Sequence, residues 1–225
     1  MVKMGQPGRP FKLLIDTGSS NMWVSAHKEY KPSPSSKNTH LQSVNVSQGS
    51  GSFTRMEIIN RYELSPALVI DKQSISVLSP SQGLQGVDGI LGIGPVDLTQ
   101  GTVNGMGNDP TVTDNLKSEG KILKETIAIS YQPITGPGMD MMNGEMSSGF
   151  EDSSKYTGDI TYVLITSTSP ANKYWGINQA VTDGKNMNIM SKCAGIVDRH
   201  LYSYGITFNL LTLIMSIVNL CVYEE

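Results

Sequence analysis

Residues 13–24 read Leu-Leu-Ile-Asp-Thr-Gly-Ser-Ser-Asn-Met-Trp-Val, so a short apolar run ends in the carboxylate of Asp16 and then turns. The apolar residues predict a buried strand, and Gly18 permits a tight turn where a Cβ atom would clash. Thr17 and Ser19 supply hydroxyl groups that can hold the carboxylate in place. The stretch therefore predicts an aspartate delivered, with its geometry braced, to the edge of a β-rich core.

A second apolar run that ends in aspartate lies far along the chain. Residues 194–198 read Ala-Gly-Ile-Val-Asp, and Arg199 and His200 follow where a second Thr-Gly turn would be expected. Two such loops facing each other would bring Asp16 and Asp198 close together, where like charges favour sharing one proton. One carboxylate can then take a proton from water while the other donates to a scissile carbonyl. We expect this pair to be catalytic without metal or cofactor.

Composition limits the other classes of function. The chain has 225 residues, enough for one large or two small domains. Its formal net charge of −3 argues against nucleic acid as a partner, because such partners select basic faces. Cys193 and Cys221 have neither zinc-ligand spacing nor a disulfide framework, so we expect two unpaired thiols.

The distribution of apolar residues predicts an all-β fold class. Short apolar or alternating runs are separated by Gly, Pro, Asn and Ser clusters, and we predict strands at residues 11–15, 23–25, 53–59, 67–70, 74–78, 127–131 and 160–165. One helix is predicted, opened by Pro110, with its body at residues 114–119 and Gly120 as a left-handed C-cap. Residues 31–40 and 134–149 are predicted to be connections because they are rich in polar residues and in Gly and Met, respectively.

Further stretches, in a consistent order, make a family resemblance specific. Together with residues 13–24, the chain resembles the pepsin family of aspartic proteases, and its fungal polyporopepsin-like branch in particular. The matching stretches are 48–53 (the flap hairpin), 86–94 (the strand beside the first catalytic loop), 110–120 (the helix along the substrate cleft), 152–158 with 174–177 (the entry into the second lobe) and 194–198 (the approach to the second catalytic loop).

This resemblance implies the pepsin-like bilobal fold, with the N-terminal lobe complete and the C-terminal lobe mostly missing. It divides the chain into an N-terminal β lobe at residues 1–165 with the first catalytic loop and flap, the start of the central sheet and second lobe at 166–198, and a non-family hydrophobic tail at 199–225. The activity it implies is peptide-bond hydrolysis at acid pH, with peptides or proteins as substrates and no implied oligomer.

The resemblance also implies roles for individual residues. Asp16 and Asp198 match the two catalytic aspartates, and Thr17, Gly18 and Ser19 match the residues that brace the first of them. Trp23 and Leu116 fall where the family lines its primary hydrophobic pocket, although ordinary core packing also explains an apolar residue at either position. Gln48, Gly49 and Ser50 fall at the flap tip, where they would contact a bound peptide.

Three departures from the family pattern leave an alternative function open, and one of them is that most of the second lobe is absent after Asp198, which we expect to impair activity. Gln48 replaces the flap tyrosine and cannot cap the pocket with a ring, so we expect weaker substrate positioning. Arg199 lacks a bracing hydroxyl group and would favour an ionised Asp198, and His200 does not readily take the conformations that Gly allows. The alternative is a catalytically inactive remnant or a peptide-binding lobe of an aspartic protease.

The tail and the cellular location also stay open at this stage. Residues 206–223 carry no charge and just reach the length of a membrane span, but Asn209, Ser216 and Asn219 weaken that reading. Translated noncoding sequence is the interpretation we favour for the apolar composition of this segment, ahead of a buried strand or helix and of a membrane anchor. The family resemblance predicts secretion, whereas no signal peptide is recognisable at the start of the sequence.

Overall fold

The computed structural model describes residues 1–43, 55–78, 86–131, 144–182 and 188–198, and these form a mostly β fold. The strands are β1 (Val2–Met4), β2 (Arg9–Phe11), β3 (Leu13–Asp16), β4 (Met22–Val24), β5 (Lys37–Ser43), β6 (Arg55–Ser65), β7 (Leu68–Leu78), β8 (Gly89–Gly92), β9 (Ile127–Tyr131), β10 (Gly144–Ser148), β11 (Gly176–Thr182) and β12 (Asn188–Ile196). The α-helix is α1 (Val112–Ser118), and short 3₁₀ turns lie at Val96–Thr99, Ser153–Lys155 and Ala171–Lys173.

Eight of these strands form one large sheet, in the order β2-β1-β6-β7-β4-β8-β3, with β5 paired to β6. β6 and β7 form a long antiparallel hairpin at its centre. Within the described ranges, the remaining strands form two smaller antiparallel pairs, β9 with β10 and β11 with β12. The large sheet carries the first aspartate at the end of β3, and the β11–β12 pair leads to the second.

Strands β4 and β8 are buried on both faces, which explains their continuous apolar sequences. Successive side chains of a strand point to opposite faces, and here Met22 and Leu91 enter the main core while Trp23 and Ile90 enter a smaller apolar cluster. β8 pairs in parallel with β3 and antiparallel with β4, so it lies between the two strands that flank the Asp-Thr-Gly turn. This arrangement fixes the turn from both sides.

Helix α1 packs its buried residues Val112 and Leu116 into the same core as β6 and β7. Thr111 caps its N-terminus in a capping box with Asp114. At the other end the N–H of Gly120 bonds to the carbonyl of Lys117, and Gly120 has a φ of +68°. The N–H of residue 121 also bonds to the carbonyl of residue 116, which completes a Schellman motif. The predicted helix and its glycine cap are therefore observed, with the first turn two residues earlier.

Several predicted elements need correction. Residues 160–165 form no strand: Leu164 is 92% exposed, and within the described part of the chain no strand pairs with this segment. The polar segment 31–40 is not all loop, because β5 begins inside it and pairs with β6. Likewise β10 occupies the end of the segment 134–149 and pairs with β9. The predicted break between 67–70 and 74–78 is wrong, since β7 is continuous, and the single strand predicted at 11–15 is divided between β2 and β3.

The prediction of two unpaired thiols is also wrong. Cys193, in β12, is disulfide-bonded. Spacing rules failed because a single disulfide between distant positions has no characteristic sequence pattern. Cys221, the flap tip at residues 48–50, and Arg199 and His200 lie outside the described residues.

Candidate active site

Asp16 ends strand β3 with only 1% of its surface exposed, and the turn that follows holds its carboxylate on both oxygens. The backbone N–H of Gly18 donates to Oδ1 at 2.9 Å. The hydroxyl of Ser19 donates to Oδ2 at 2.5 Å. Hydrogen bonds from N–H and O–H groups favour the charged form of a carboxylate. The first loop therefore provides a buried, oriented carboxylate, as residues 16–19 predicted.

The segment after β8 holds this turn in place through backbone hydrogen bonds. The N–H of Ile93 donates to the carbonyl oxygen of Asp16 at 2.8 Å, and the N–H of Gly94 donates to that of Ser19, also at 2.8 Å. The contact is so close that a Cβ atom at Gly92 would lie 2.6 Å from the carbonyl oxygen of Asn21. Glycine is required at this position because the two backbones approach directly.

Asp198 lies against the first loop. A Cβ atom built on Gly18 would be 2.6 Å from Oδ1 and 2.8 Å from Oδ2 of Asp198. Gly18 thus contacts both aspartates, since its N–H binds Asp16 while its Cα faces the carboxylate of Asp198. The hydroxyl of Thr17 donates to the carbonyl oxygen of Val197 at 2.9 Å and so joins the two loops directly. The structure brings together the two carboxylates that lie 182 positions apart in the sequence.

A second link joins the two loops through Trp175. Its indole N–H donates to the carbonyl oxygen of Ile93 at 3.0 Å. Its own carbonyl oxygen accepts the N–H of Val197 at 2.9 Å. The sequence analysis placed Trp175 and Val197 in stretches that resemble the family but gave neither a role, because no local pattern indicates which distant carbonyl an indole will reach.

With this geometry established, comparison with known proteins decides the family. A family model described as eukaryotic aspartyl protease matches residues 1–201. The chain belongs to the eukaryotic aspartyl protease family. It is 50% identical over 199 residues to polyporopepsin of Irpex lacteus, an alignment that covers 88% of this chain and 57% of that protein. It is 28% identical to gastricsin of Cavia porcellus, with 88% of this chain and 51% of the relative covered.

A solved structure agrees with this assignment. The crystal structure of the aspartic proteinase from Irpex lacteus matches with a TM-score of 0.81 and 50% sequence identity, over 88% of this chain and 57% of that one. The expected pepsin-like fold is thereby confirmed. The chain spans about half the length of the relatives it matches.

The two residues predicted to line the family's hydrophobic pocket differ in their surroundings. Trp23 is 8% exposed and packs with Leu78 and Ile90 in the smaller apolar cluster. Leu116 has no exposed surface and belongs to the main core. A pocket wall needs surface that a ligand can touch, so Leu116 fits the core-packing alternative and enters no proposal below.

A second group of buried carboxyls lies beside the β6–β7 hairpin, and the sequence analysis did not anticipate it. Glu57 accepts hydrogen bonds from the hydroxyls of Ser74 and Ser76 at 2.5 and 2.7 Å. Burial, with the nearby charge of Glu57, raises the pKa of Asp109 from 3.8 to about 7, although hydrogen bonding with Ser74 partly opposes the shift. Asp109 therefore keeps its proton at acid pH.

The described residues hold no group of three or more His, Cys, Asp or Glu side chains able to bind a metal ion. The same part of the chain contains no helix that is both long and apolar enough to cross a membrane.

Proposed function

We propose that the protein containing this chain is an aspartic endopeptidase in which Asp16 and Asp198 share one proton and activate a water molecule. The observation that carries the proposal is the contact of both carboxylates with Gly18. Carboxylates this close cannot both ionise easily, so the pair titrates as a unit. The family membership supports the same chemistry.

The two carboxylates take complementary roles in the proposed reaction. Asp16 accepts hydrogen bonds from Gly18 and Ser19, which orient its carboxylate. The charged carboxylate takes a proton from the attacking water, and the protonated partner donates to the carbonyl oxygen of the scissile bond. The Thr17–Val197 bond ties the two loops together and so limits how far the two carboxylates can move apart. No covalent intermediate is required.

We propose peptides with bulky apolar residues at the cleavage site as substrates. The family resemblance places Trp23 in the pocket for such a residue, and Trp23 lies on the strand that follows the first loop, with 8% of its surface exposed. The flap residues Gln48, Gly49 and Ser50 would cover the bound peptide.

We also propose that residues 1–165 form the first lobe and that residues 166–198 begin the second, with secretion as the destination of the protein. The disulfide at Cys193 supports secretion, because such bonds persist in oxidising compartments. A reducing-gel shift of protein taken from the culture medium and from cell lysate would test this, and a fully reduced, intracellular protein would contradict it.

The test of the endopeptidase function is cleavage of an apolar peptide at acid pH, with pepstatin as inhibitor. Asp16→Asn and Asp198→Asn should each abolish cleavage, while Asp159→Asn, which changes an exposed aspartate, should leave it intact. Folded wild-type protein that binds the peptide but never cleaves it would support the alternative of a peptide-binding lobe. Folded protein that neither binds nor cleaves would contradict both functions.

A further inference from the structure

Trp175 stands immediately before β11, and its indole ring is only partly buried, with 36% of its surface exposed. A tryptophan this exposed contributes less to the core than a fully buried one. Its indole N–H nevertheless has a specific partner, the carbonyl oxygen of Ile93 at 3.0 Å. Ile93 belongs to the segment that supports the first catalytic loop. Trp175 therefore connects the β11–β12 pair to the half of the site that carries Asp16.

The hydrogen bonds around Trp175 form a closed circuit. The N–H of Ile93 binds the carbonyl of Asp16 at 2.8 Å, and the N–H of Val197 binds the carbonyl of Trp175 at 2.9 Å. The circuit closes where the hydroxyl of Thr17, next to Asp16, binds the carbonyl of Val197 at 2.9 Å. Both backbone polar groups of Val197 are thus engaged, and the next residue is Asp198.

The backbone of Trp175 is itself restrained. A Cβ atom at Gly176 would lie 2.1 Å from the carbonyl oxygen of Ala171, so this part of the chain lies directly against the 3₁₀ turn Ala171–Lys173. The N–H of Tyr174 also bonds to that carbonyl. A fixed backbone on one side and a fixed indole on the other allow Trp175 to transmit the position of Ile93 to Val197.

We propose that Trp175 is a positioning residue that sets the location of Asp198 relative to Asp16. It acts through Ile93 and Val197 and takes no part in proton transfer. Without the indole hydrogen bond, Val197 would keep its bond to the carbonyl of residue 175, but Thr17–Val197 would be the one tie left in this circuit between the two loops, and pivoting about it would move the Asp198 carboxylate. Displacements of about 1 Å are enough to impair catalysis strongly. The catalytic consequence rests on the proposed endopeptidase function, whereas the positioning itself can be measured without activity.

The variants are chosen to remove one hydrogen bond. Trp175→Phe keeps an aromatic ring without the N–H. Replacement of Trp175 by 3-benzothienylalanine keeps the two-ring shape and replaces the N–H with sulfur, so it serves if Trp175→Phe folds poorly. The matched control is Thr166→Val, which removes the 2.8 Å bond from Thr166 to the Asn178 side chain of β11 and the 3.2 Å bond that the Thr166 hydroxyl accepts from the N–H of Thr168, but leaves the circuit intact.

The first readout is the titration of the two carboxyls, followed by ¹³C NMR of labelled aspartate in the full chain, with Asp16→Asn and Asp198→Asn giving the uncoupled curves. A coupled pair titrates in two separated steps. We expect both Trp175 variants to reduce the difference between the two apparent pKa values of the pair to roughly half or less. Thr166→Val should leave this difference unchanged. The second readout is catalysis, where we expect kcat to fall about tenfold with little change in KM, because only the geometry of the pair is altered.

Each outcome decides the question. An unchanged separation in both Trp175 variants would overturn the positioning role and leave the proposed function standing. An equal decrease of the pKa difference in Thr166→Val would also overturn the positioning role, because a general loss of rigidity in this part of the protein would then explain the effect. If the pKa difference decreases only in the Trp175 variants and the protein cleaves no peptide, the positioning role is supported and the proposed function is contradicted. Uncoupled titration in the wild-type protein would overturn both.

Discussion

The hydroxyl of Thr17 donates a hydrogen bond to the carbonyl oxygen of Val197, a residue 180 positions later in the chain. This bond ties the two aspartate loops directly, whereas the Trp175 link passes through Ile93. The hydrogen bonds from Gly18 and Ser19 to the Asp16 carboxylate do not involve it. The relative placement of the two carboxylates is what depends on it.

Replacing Thr17 with valine should therefore impair the pair more than the fold. We expect Thr17→Val to lower kcat/KM for an apolar peptide about fivefold, because one hydrogen bond of roughly 1 kcal/mol is lost at the junction. Thr17→Ser keeps the hydroxyl and should retain most of the activity. Equal kcat/KM values for the two variants would show that the hydroxyl does not join the loops.

Gly18 should not tolerate a side chain. In Gly18→Ala the new methyl group would overlap the carboxylate of Asp198, whose oxygens lie 2.6 and 2.8 Å from the Cβ position. We expect pepstatin affinity to fall at least a hundredfold, measured by calorimetry at acid pH. The matched control is Gly107→Ala, because a Cβ atom there meets none of the described residues within 4 Å. Normal pepstatin binding by Gly18→Ala would mean that the two carboxylates are not apposed.

Asp109 should make the protein more stable in acid than at neutral pH. Its pKa is about 7 in the folded protein, whereas the ordinary value for an exposed aspartate is 3.8, so the folded state binds the proton more tightly than the unfolded state does. Stability from this group is complete below about pH 4, is lost as pH rises to about 7, and then stays constant. We expect Asp109→Asn to flatten this part of the stability curve and to raise the free energy of unfolding at neutral pH by on the order of 2 to 4 kcal/mol.

Urea unfolding at a series of pH values measures this effect. Asp159→Asn, at an exposed aspartate, is the control and should follow the wild-type curve. If Asp109→Asn and wild type lose stability in parallel between about pH 4 and pH 7, the buried Asp109 carboxyl is not the origin of the loss.

Replacing Tyr62 with phenylalanine should stabilise the protein. Its side chain is fully buried in β6, its hydroxyl has no hydrogen-bond partner among the described residues, and burial raises its pKa. We expect Tyr62→Phe to increase the free energy of unfolding by about 1 kcal/mol, because the variant no longer buries an unsatisfied polar group.

Tyr30 provides the opposite case for comparison. Its hydroxyl bonds to Ser36 and Asn60, each at 2.7 Å. Tyr30→Phe should therefore lower stability by about 1 kcal/mol in the same thermal or urea unfolding experiment. Loss of stability in both variants would contradict the assignment of Tyr62 as unsatisfied.

The sequence predicted best the features that are encoded locally. Helix α1 carries its own start and stop signals in Thr111, Asp114 and Gly120, and the structure uses all three. The hydrogen bonds from Gly18 and Ser19 to the Asp16 carboxylate come from within residues 16–19 in the first loop. Hydroxyl groups and a glycine adjacent in sequence were therefore enough to anticipate them.

Features that depend on distant partners were the ones missed. Residues 160–165 have the apolar composition of a strand, but a strand also needs a neighbour to pair with, and composition does not reveal whether one is present. Strand β5 was hidden by polar residues, although pairing with β6 orders it. The role of Trp175 was invisible for the same reason, since its partner Ile93 lies 82 positions away.

The order in which the site can be completed follows from the chain positions of its hydrogen bonds. The bonds that cradle Asp16 and its turn come from residues 16–94, so this half can assemble early during synthesis. Asp198 can join only after Trp175 and Val197 have left the ribosome, because the ties from Thr17 and Ile93 end on those residues. A nascent chain therefore displays a finished but solitary aspartate until residues 175–198 emerge, and the second carboxylate can join it only from that point.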